Sequence, residues 1–264
     1  MEQILLLGRN GFIGKHLYDS LVDKYDVIDI TDKKEKNRIE DISPDYVVNL
    51  CASAPNSNFN DSFDANVFYP LGILKKLLIN RKNNLKWIQI GSYFELQIEF
   101  GRNDYYTLHK NIFQKLITDL EISNKLLSTH TIILPHITGP GELESRLFPT
   151  MRRLNKNNTS WEKFSNGNQF LPVLHVSDAC IAISQFLVSN QKFSSAQPVL
   201  HLRVREIISE CVINADRVIF DKDLNPLDSN YPMVKFPENV IGFKPNLEAK
   251  ALINSTRRVD SNEN

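Results

Sequence analysis

The sequence predicts an α/β protein built on a doubly wound parallel sheet, with a smaller C-terminal lobe. Three observations carry that reading. Ile4-Leu5-Leu6-Leu7 is a wholly apolar run, as expected of a strand buried on both faces. It ends at Gly8, and Gly11 and Gly14 follow before an apolar stripe at helical spacing, Leu17, Leu21 and Val22. Strand-like and helix-like stretches then alternate as far as Pro135.

Taken in order, Asp26–Thr31 and Asp45–Ala52 read as the next strands, and a helix is expected from about Asp61 to Ile79. Lys86–Gly91 is a further strand, followed by a helix over Tyr105–Glu121 and a strand over Thr129–Leu134. Beyond Pro135 the pattern turns irregular. A helix is expected over Glu142–Leu154, a surface turn over Asn155–Thr159 and a strand over Val173–Val176. Ser177 or Asp178 offers N-cap chemistry for a helix to Val188. Val199–Leu202 and Val218–Phe220 read as strands around a helix over Val204–Ile213, and the polar tail beyond Ser255 as frayed.

The 264 residues suffice for a large core and one or two closely packed lobes. Lys+Arg and Asp+Glu number 31 each, so no net charge advertises a nucleic-acid partner. No apolar stretch reaches membrane-spanning length, and the apolar N-terminal strand is too short for a signal peptide. Cys51, Cys180 and Cys211 lie far apart without a C-x-x-C, the usage of a reduced cytoplasmic protein. The six histidines are scattered with no H-x-x-x-H pair, so no metal is expected.

The first chemistry-bearing stretch is Gly8-Arg9-Asn10-Gly11-Phe12-Ile13-Gly14. A glycine-rich turn from buried strand to helix lets a diphosphate approach bare N–H groups at the positive end of the helix. The spacing is G-x-x-G-x-x-G, a departure from the commoner G-x-G-x-x-G, but the flanking strand and helix point to a Rossmann-type dinucleotide-binding domain. The end of the second strand would meet the adenosine ribose, and counting from Gly14 lands on Thr31, Asp32 and Lys33. Hydroxyls and cations there, with Arg9 in the loop, favour NADP, with NAD the alternative. The bland reading is a solvated lysine loop. Small residues at Cys51-Ala52-Ser53 leave room for a ligand or let a loop pack, and Cys51 itself reads as small core filler.

The second is Tyr106-Thr-Leu-His-Lys110. Tyr and Lys four apart share one helical face. An ammonium beside a phenol stabilises the phenolate and brings the proton into a usable range. Ser92, just past a central strand, could donate to a substrate oxygen beside that phenol. Alone, Y-x-x-x-K is more often a surface face; after the nucleotide-binding turn and a strand-end serine it reads as a proton-delivery site. His109 is expected to be exposed, off the Tyr–Lys stripe.

The ordered series ILLLGRNGFIGKHL, PDYVVNLCA, Asn66-Val67, IQIGSYFE, Tyr106 with Lys110, ITGPG, LHVSDACIAI and VREIISECVI resembles the extended short-chain dehydrogenases/reductases of the NAD-dependent epimerase/dehydratase family. The resemblance runs nearly end to end. It implies an NAD(P)-binding domain over 1–135, to which 173–190 returns, and a mainly substrate-binding lobe over 136–264. It implies Tyr106 as general acid/base, Lys110 holding the nicotinamide ribose and lowering the phenol's pKa, and Ser92 polarising a sugar carbonyl. The glycine loop, residues 51–53, Asn66 and Pro135 would border the cofactor, and Ser92, Tyr93, Phe94, His136, Arg146 and Arg152 the nucleotide-sugar substrate. His175 would be structural. A homodimer through the Tyr106 helix and the helix before it is also implied.

Departures from the family narrow the reaction. Dehydratases carry Asp-Glu after the serine or threonine; Tyr93-Phe94 stand there. No added Cys/His acid/base pair of the kind used in two-carbon epimerisation is evident, His136 remaining open. The family's phosphate-contacting arginine is replaced by the Leu171-Pro172 region, with Arg146, Arg152 or Arg153 as substitutes. The expectation is reduction of a 4-keto-(6-deoxy)sugar nucleotide, in deoxysugar and polysaccharide biosynthesis. The alternatives are a 4-epimerase holding NAD tightly and a non-catalytic NADP-binding regulator.

Overall fold

The computed structural model describes residues 1–30, 39–79, 81–157, 162–221, 223 and 231–257. The chain forms two compact units. One comprises Met1–Leu134, Ala179–Ala196 and Lys235–Phe243, and the other Pro135–Asp178, Gln197–Val234 and Lys244–Asn264. The segment returning to the first unit is thus 179–196, joined by 235–243, where the sequence suggests 173–190.

The first unit holds a six-stranded parallel sheet. Its strands are β1 (Gln3–Leu7), β2 (Asp26–Ile28), β3 (Tyr46–Asn49), β4 (Leu85–Ser92), β5 (Leu127–Leu134) and a late strand, Phe193–Ser195. The order is β2-β1-β3-β4-β5 with the late strand outermost. β1 is buried throughout from Ile4 to Leu7, which is why its apolar run shows no alternation. Helix α1 (Phe12–Leu21) follows β1. The chain next runs to β2 on one side of β1 and then to β3 on the other. That reversal opens a crevice at the carboxyl ends of β1 and β3, the place where such sheets bind ligands.

The helical run predicted over 61–79 has three pieces: α2 (Phe59–Phe63), a π-helical turn (Asp64–Phe68) and α3 (Tyr69–Leu78). Asn58 caps α2 through the Asp61 N–H at 2.9 Å. The Tyr69 N–H reaches back to the Asp64 carbonyl, and Pro70 has no N–H with which to continue the tighter ladder. Helix α4 (Tyr105–Ser123) packs on β4 and β5 through Phe113 and Ile117, both fully buried. Phe113 meets Trp87 of β4 at 6.0 Å between ring centroids. Each such side chain contributes about 1.5–3 kcal/mol of burial.

Two expected strands are shorter than predicted. The second ends at Ile28 and the third covers only Tyr46–Asn49, because pairing with β1 stops there. Thr31, Asp32 and Lys33 lie outside the described residues.

In the second unit, β6 (His136–Thr138), β8 (Phe170–His175) and β10 (Leu200–Arg203) form a mixed sheet in the order β10-β8-β6, while β7 (Glu162–Phe164) pairs with β11 (Val218–Phe220); the first unit's Phe193–Ser195 is β9. The helix predicted over 142–154 is α5 (Leu147–Lys156). Gly139 and Gly141 carry φ of 147° and 83°, and this turn delays the start. Helix α6 spans Val176–Val188, belonging to the first unit from Ala179 onward. Asp178, expected as its cap, is instead fully buried and accepts the N–H groups of Asn246 and Leu247 at 2.9 and 3.1 Å. Helices α7 (Val204–Cys211) and α8 (Ala249–Arg257) follow in this unit; α8 carries the chain past Ser255 to Arg257, and the rest of the tail expected to fray lies outside the described residues. Buried Asn155 ties three segments together. Its Nδ2 donates to the carbonyls of Cys211 and Thr256, and its Oδ1 accepts from the Ile213 N–H.

Candidate functional site

The glycine turn follows β1 directly. Gly8 adopts φ of +85°, a conformation that L side chains rarely take. A Cβ at Gly14 would lie 2.2 Å from the Gly8 carbonyl oxygen, so only glycine lets α1 pack back on the loop. Gly11 stands at the N-cap of α1 with no side-chain cap and no acidic residue in the first turn. The helix therefore presents its first N–H groups and positive end to the crevice.

That crevice is a cleft of about 520 Å³, lined by Gly8 and Gly11, by Leu50-Cys51-Ala52 after β3, and by Asp61, Asp64, Ala65 and Tyr69. The last four recur at three, four and eight residues from the first, one stripe along the helical run. Sequence reasoning found the loop and residues 51–52 but missed this stripe, whose spacing around Asn66 could have revealed it. Burial pushes the Tyr69 phenol up, with Cys51 and Asp29 adding to the shift.

Asn66 is buried in the π-helical turn. Its Nδ2 donates to Ser53 Oγ at 3.0 Å, to the Ser62 carbonyl at 2.9 Å and to Ser62 Oγ at 3.2 Å. Its Oδ1 is buried with no hydrogen-bond partner. An orphaned acceptor in a π-turn bordering a cleft is what a ligand donor would satisfy. His109 is buried, not exposed as its helix position suggested: its Nδ1 lies 2.9 Å from Ser62 Oγ, and the rings of Phe59, Phe63 and Tyr105 enclose it. The packing of α2 on α4 covers that face, which a single helix's periodicity does not show.

Arg9 leaves the loop toward Asp29, the residue just past β2. Its Nη1 lies 2.9 Å from Asp29 Oδ2, and the guanidinium rests over the Tyr18 ring at 3.6 Å. Because β2 ends at Ile28, a carboxylate stands two residues before Thr31, the position on which counting from Gly14 lands.

Ser92 and the Tyr106–Lys110 pair are linked through Phe94. Ser92 ends β4 and caps the 3₁₀ segment Tyr93–Phe100, its Oγ accepting the Phe94 N–H at 3.3 Å. The Phe94 ring meets Tyr106 edge-on at 6.2 Å, and Lys110 Nζ stands 5.6 Å from the Tyr106 ring centroid. Asp104 caps α4 through the Thr107 N–H at 2.9 Å, which fixes the turn carrying Tyr106. Arg102 braces the segment before it, bonded to Gln97 and Asp104 and lying 3.6 Å over the Phe94 ring. Lys110 is buried. Glu95, which the sequence reading missed, is buried too and accepts the Ser92 N–H at 2.7 Å. Its signal was present: Ser92-x-x-Glu95 is the capping-box spacing. Phe94 thus stands between Ser92 at the end of a central strand and Tyr106, with the Lys110 ammonium beside the Tyr106 ring; a phenol, a cation and a hydroxyl are the groups that proton delivery to an oxygen atom uses.

The expected substrate residues are spread differently. Tyr93 is buried, its ring 4.3 Å from that of Phe94. In the second unit, which Pro135 begins, His136 Nε2 pairs with buried Glu142 at 3.2 Å, and Thr138 Oγ1 donates to the same carboxylate at 2.6 Å. Arg146 is exposed at the N-cap of α5 and Arg152 is half-buried. Arg153, the third candidate, is taken up by Glu162 at 2.6 Å. His175 Nδ1 lies 2.7 Å from Ser177 Oγ.

The cleft suits a dinucleotide on its own terms: an uncapped helix end, a loop without Cβ atoms, an orphaned amide oxygen and a carboxylate–guanidinium pair past β2. Among the described residues no group of three His, Cys, Asp or Glu could hold a metal ion.

Comparison with known proteins agrees with this reading. No curated protein matches the sequence. Among solved structures, RMD from Pseudomonas aeruginosa complexed with NADPH superposes with a TM-score of 0.76 at 16% identity, over 97% of this chain and 98% of that one. The UDP-N-acetylglucosamine 4-epimerase of Methanobrevibacter ruminantium gives 0.77 at 16% over 97% and 96%. The dTDP-glucose 4,6-dehydratase of Bacillus anthracis, in complex with NAD, gives 0.76 at 15% over 97% and 96%. At these identities the likeness is one of fold. The model of the NAD dependent epimerase/dehydratase family matches residues 4–197, and with that match the chain belongs to this family of NAD(P)-dependent extended short-chain dehydrogenases/reductases.

Proposed function

We propose that the protein reduces a 4-keto-6-deoxysugar nucleotide to the 4-hydroxy sugar nucleotide. What supports this reading is Ser92 at the end of β4, with Tyr106 and Lys110 side by side on α4, in a chain of the NAD dependent epimerase/dehydratase family. A reduced nicotinamide dinucleotide, when bound, supplies the hydride. Gly8, Gly11 and the start of α1 would hold its diphosphate, with Cys51, Ala52 and Asn66 beside it. Tyr106 gives its phenolic proton to the carbonyl oxygen. Ser92 donates a hydrogen bond to that oxygen as charge develops on it, and the Lys110 ammonium stabilises the phenolate left behind. Tyr93 and Phe94 stand where a dehydratase needs carboxylates, which argues against loss of water.

The adenosine end favours no single cofactor. Arg9 suits a 2′-phosphate and Asp29 a 2′-hydroxyl, and the two are paired. Asp29 is the observation in favour of the second reading, a 4-epimerase that retains NAD. Exposed Phe59, Phe68, Tyr105 and Ile112 on the helices of the first unit support a homodimer. Among the described residues no helix is long and apolar enough to cross a membrane, and three cysteines outside any disulfide suit the cytoplasm.

The test is NADPH and NADH oxidation across a panel of 4-keto-6-deoxysugar nucleotides, with product configuration by NMR. Stoichiometric oxidation with a new 4-hydroxyl supports the reductase. Interconversion of 4-epimers without net oxidation, by protein purified with NAD bound, supports the epimerase. Binding of NADPH with no turnover on any sugar nucleotide supports a regulator and refutes both.

A further inference from the structure

Glu95 has no part in the proton transfer just described, yet it touches the machinery on two sides. Its Oε1 accepts the Ser92 N–H at 2.7 Å, closing a capping box in which Ser92 Oγ accepts backbone N–H groups in return. With Phe94 and Glu95 N–H groups directed at it, the serine oxygen has its acceptor positions filled, and its single proton is left to donate. That is the polarity a developing alkoxide needs. On its other side Glu95 lies in the field of the Lys110 ammonium. Both side chains are buried, at 8% and 4% exposure, so the field between them is little screened by water. The site is built for this carboxylate. A Cβ at Gly91 would fall 3.2 Å from Glu95 Oε1 and 2.5 Å from Ile133 Cδ1.

We propose that Glu95 is a positioning residue of the candidate catalytic cluster, whose carboxylate fixes Ser92 as a hydrogen-bond donor and is the counter-charge that seats Lys110 beside Tyr106. The proposal rests on the Ser92/Tyr106/Lys110 reading. Burial pushes the Glu95 carboxyl up to about 6, while Lys110 and the Ser92 N–H pull the other way. From β4 it meets the Ser92 N–H and from α4 the Lys110 ammonium; Arg102, ahead of α4, is held by Gln97 and Asp104. Protonation of Glu95 removes that negative charge, so activity is expected to fall toward acid pH.

Two experiments test this in the full-length protein. In the first, kcat is measured from pH 5 to 8 for the wild type and Glu95→Gln, with nicotinamide dinucleotide affinity by fluorescence in parallel. The variant is expected to lose about ten- to a hundredfold in kcat at pH 7.5. Its acid limb near pH 6 should vanish, with cofactor affinity within about twofold of wild type. An unchanged acid limb, or a loss of affinity that matches the loss of rate, overturns the proposal. The second needs no substrate. The Glu95 carboxyl, assigned by its absence in Glu95→Gln, is titrated by 13C NMR in the wild type and in Lys110→Met. Its titration should move to higher pH in Lys110→Met; no movement overturns the counter-charge. If that coupling is present while the wild type turns over no sugar nucleotide, the reductase reading fails and the pairing stands.

Discussion

Replacing Glu95 by glutamine is expected to stabilise the protein at neutral pH while damaging its activity. The carboxyl is buried beneath β4, and its pKa rises from 4.5 to about 6, chiefly because burial penalises the charged form. The folded state thus holds a proton there more tightly than the unfolded chain does. Stability is then highest below the unfolded value and falls as pH rises through the folded one. A gap of about 1.5 pH units corresponds to about 2 kcal/mol, all of it lost by pH 7.5. Glutamine keeps the acceptor for the Ser92 N–H but carries no charge to desolvate. Urea midpoints of wild type and Glu95→Gln, measured from pH 4 to 7.5, should nearly coincide at the acid end. They should separate by up to about 2 kcal/mol in favour of the variant at pH 7.5. Taking the difference cancels every other titrating group. A separation that does not change with pH would refute the reasoning, because Glu95 would then titrate as an ordinary surface carboxylate. A gain in stability bought with loss of turnover is the signature of a group kept for function.

Other perturbations have equally definite outcomes. Gly14→Ala drives a Cβ to 2.2 Å from the Gly8 carbonyl, so the loop must move; nicotinamide fluorescence should show dinucleotide affinity falling at least about tenfold, with the fold retained by circular dichroism. Asp29→Asn frees Arg9 from its partner and removes a charge hostile to phosphate, so the ratio of NADPH to NADH affinity should rise, and Arg9→Ala should lower it. In the second unit, Asn155→Ala leaves two carbonyls and one N–H without their buried partner and should cost about 2–4 kcal/mol in urea unfolding.

The parts of this molecule that local chemistry dictates are legible in its sequence. Ile4–Leu7 can only be a doubly buried strand, Gly8 and Gly14 sit where a side chain has no room, and the spacing of Tyr106 and Lys110 fixes them on one face of α4. What depends on partners is not legible. His109 is covered by Phe59 and Phe63 of α2, which lie nearly fifty residues away, so its own helix gives no hint of burial. The end of β2 is set by pairing with β1, which the residues of β2 alone do not reveal. The helix expected from Glu142 starts only at Leu147 because the positive-φ turn at Gly139 and Gly141 comes first. Glu95 is a different case: its capping-box spacing stands in plain view, but nothing local reveals that Lys110 shares its surroundings.

The account turns on whether the Tyr106 phenol hands over a proton during hydride transfer, and single-turnover NADPH oxidation by the wild type and Tyr106→Phe, on whichever sugar nucleotide the panel identifies, tests this most directly. The variant should bind NADPH as the wild type does and lose at least about a hundredfold in rate. Equal rates in the two proteins would contradict the account.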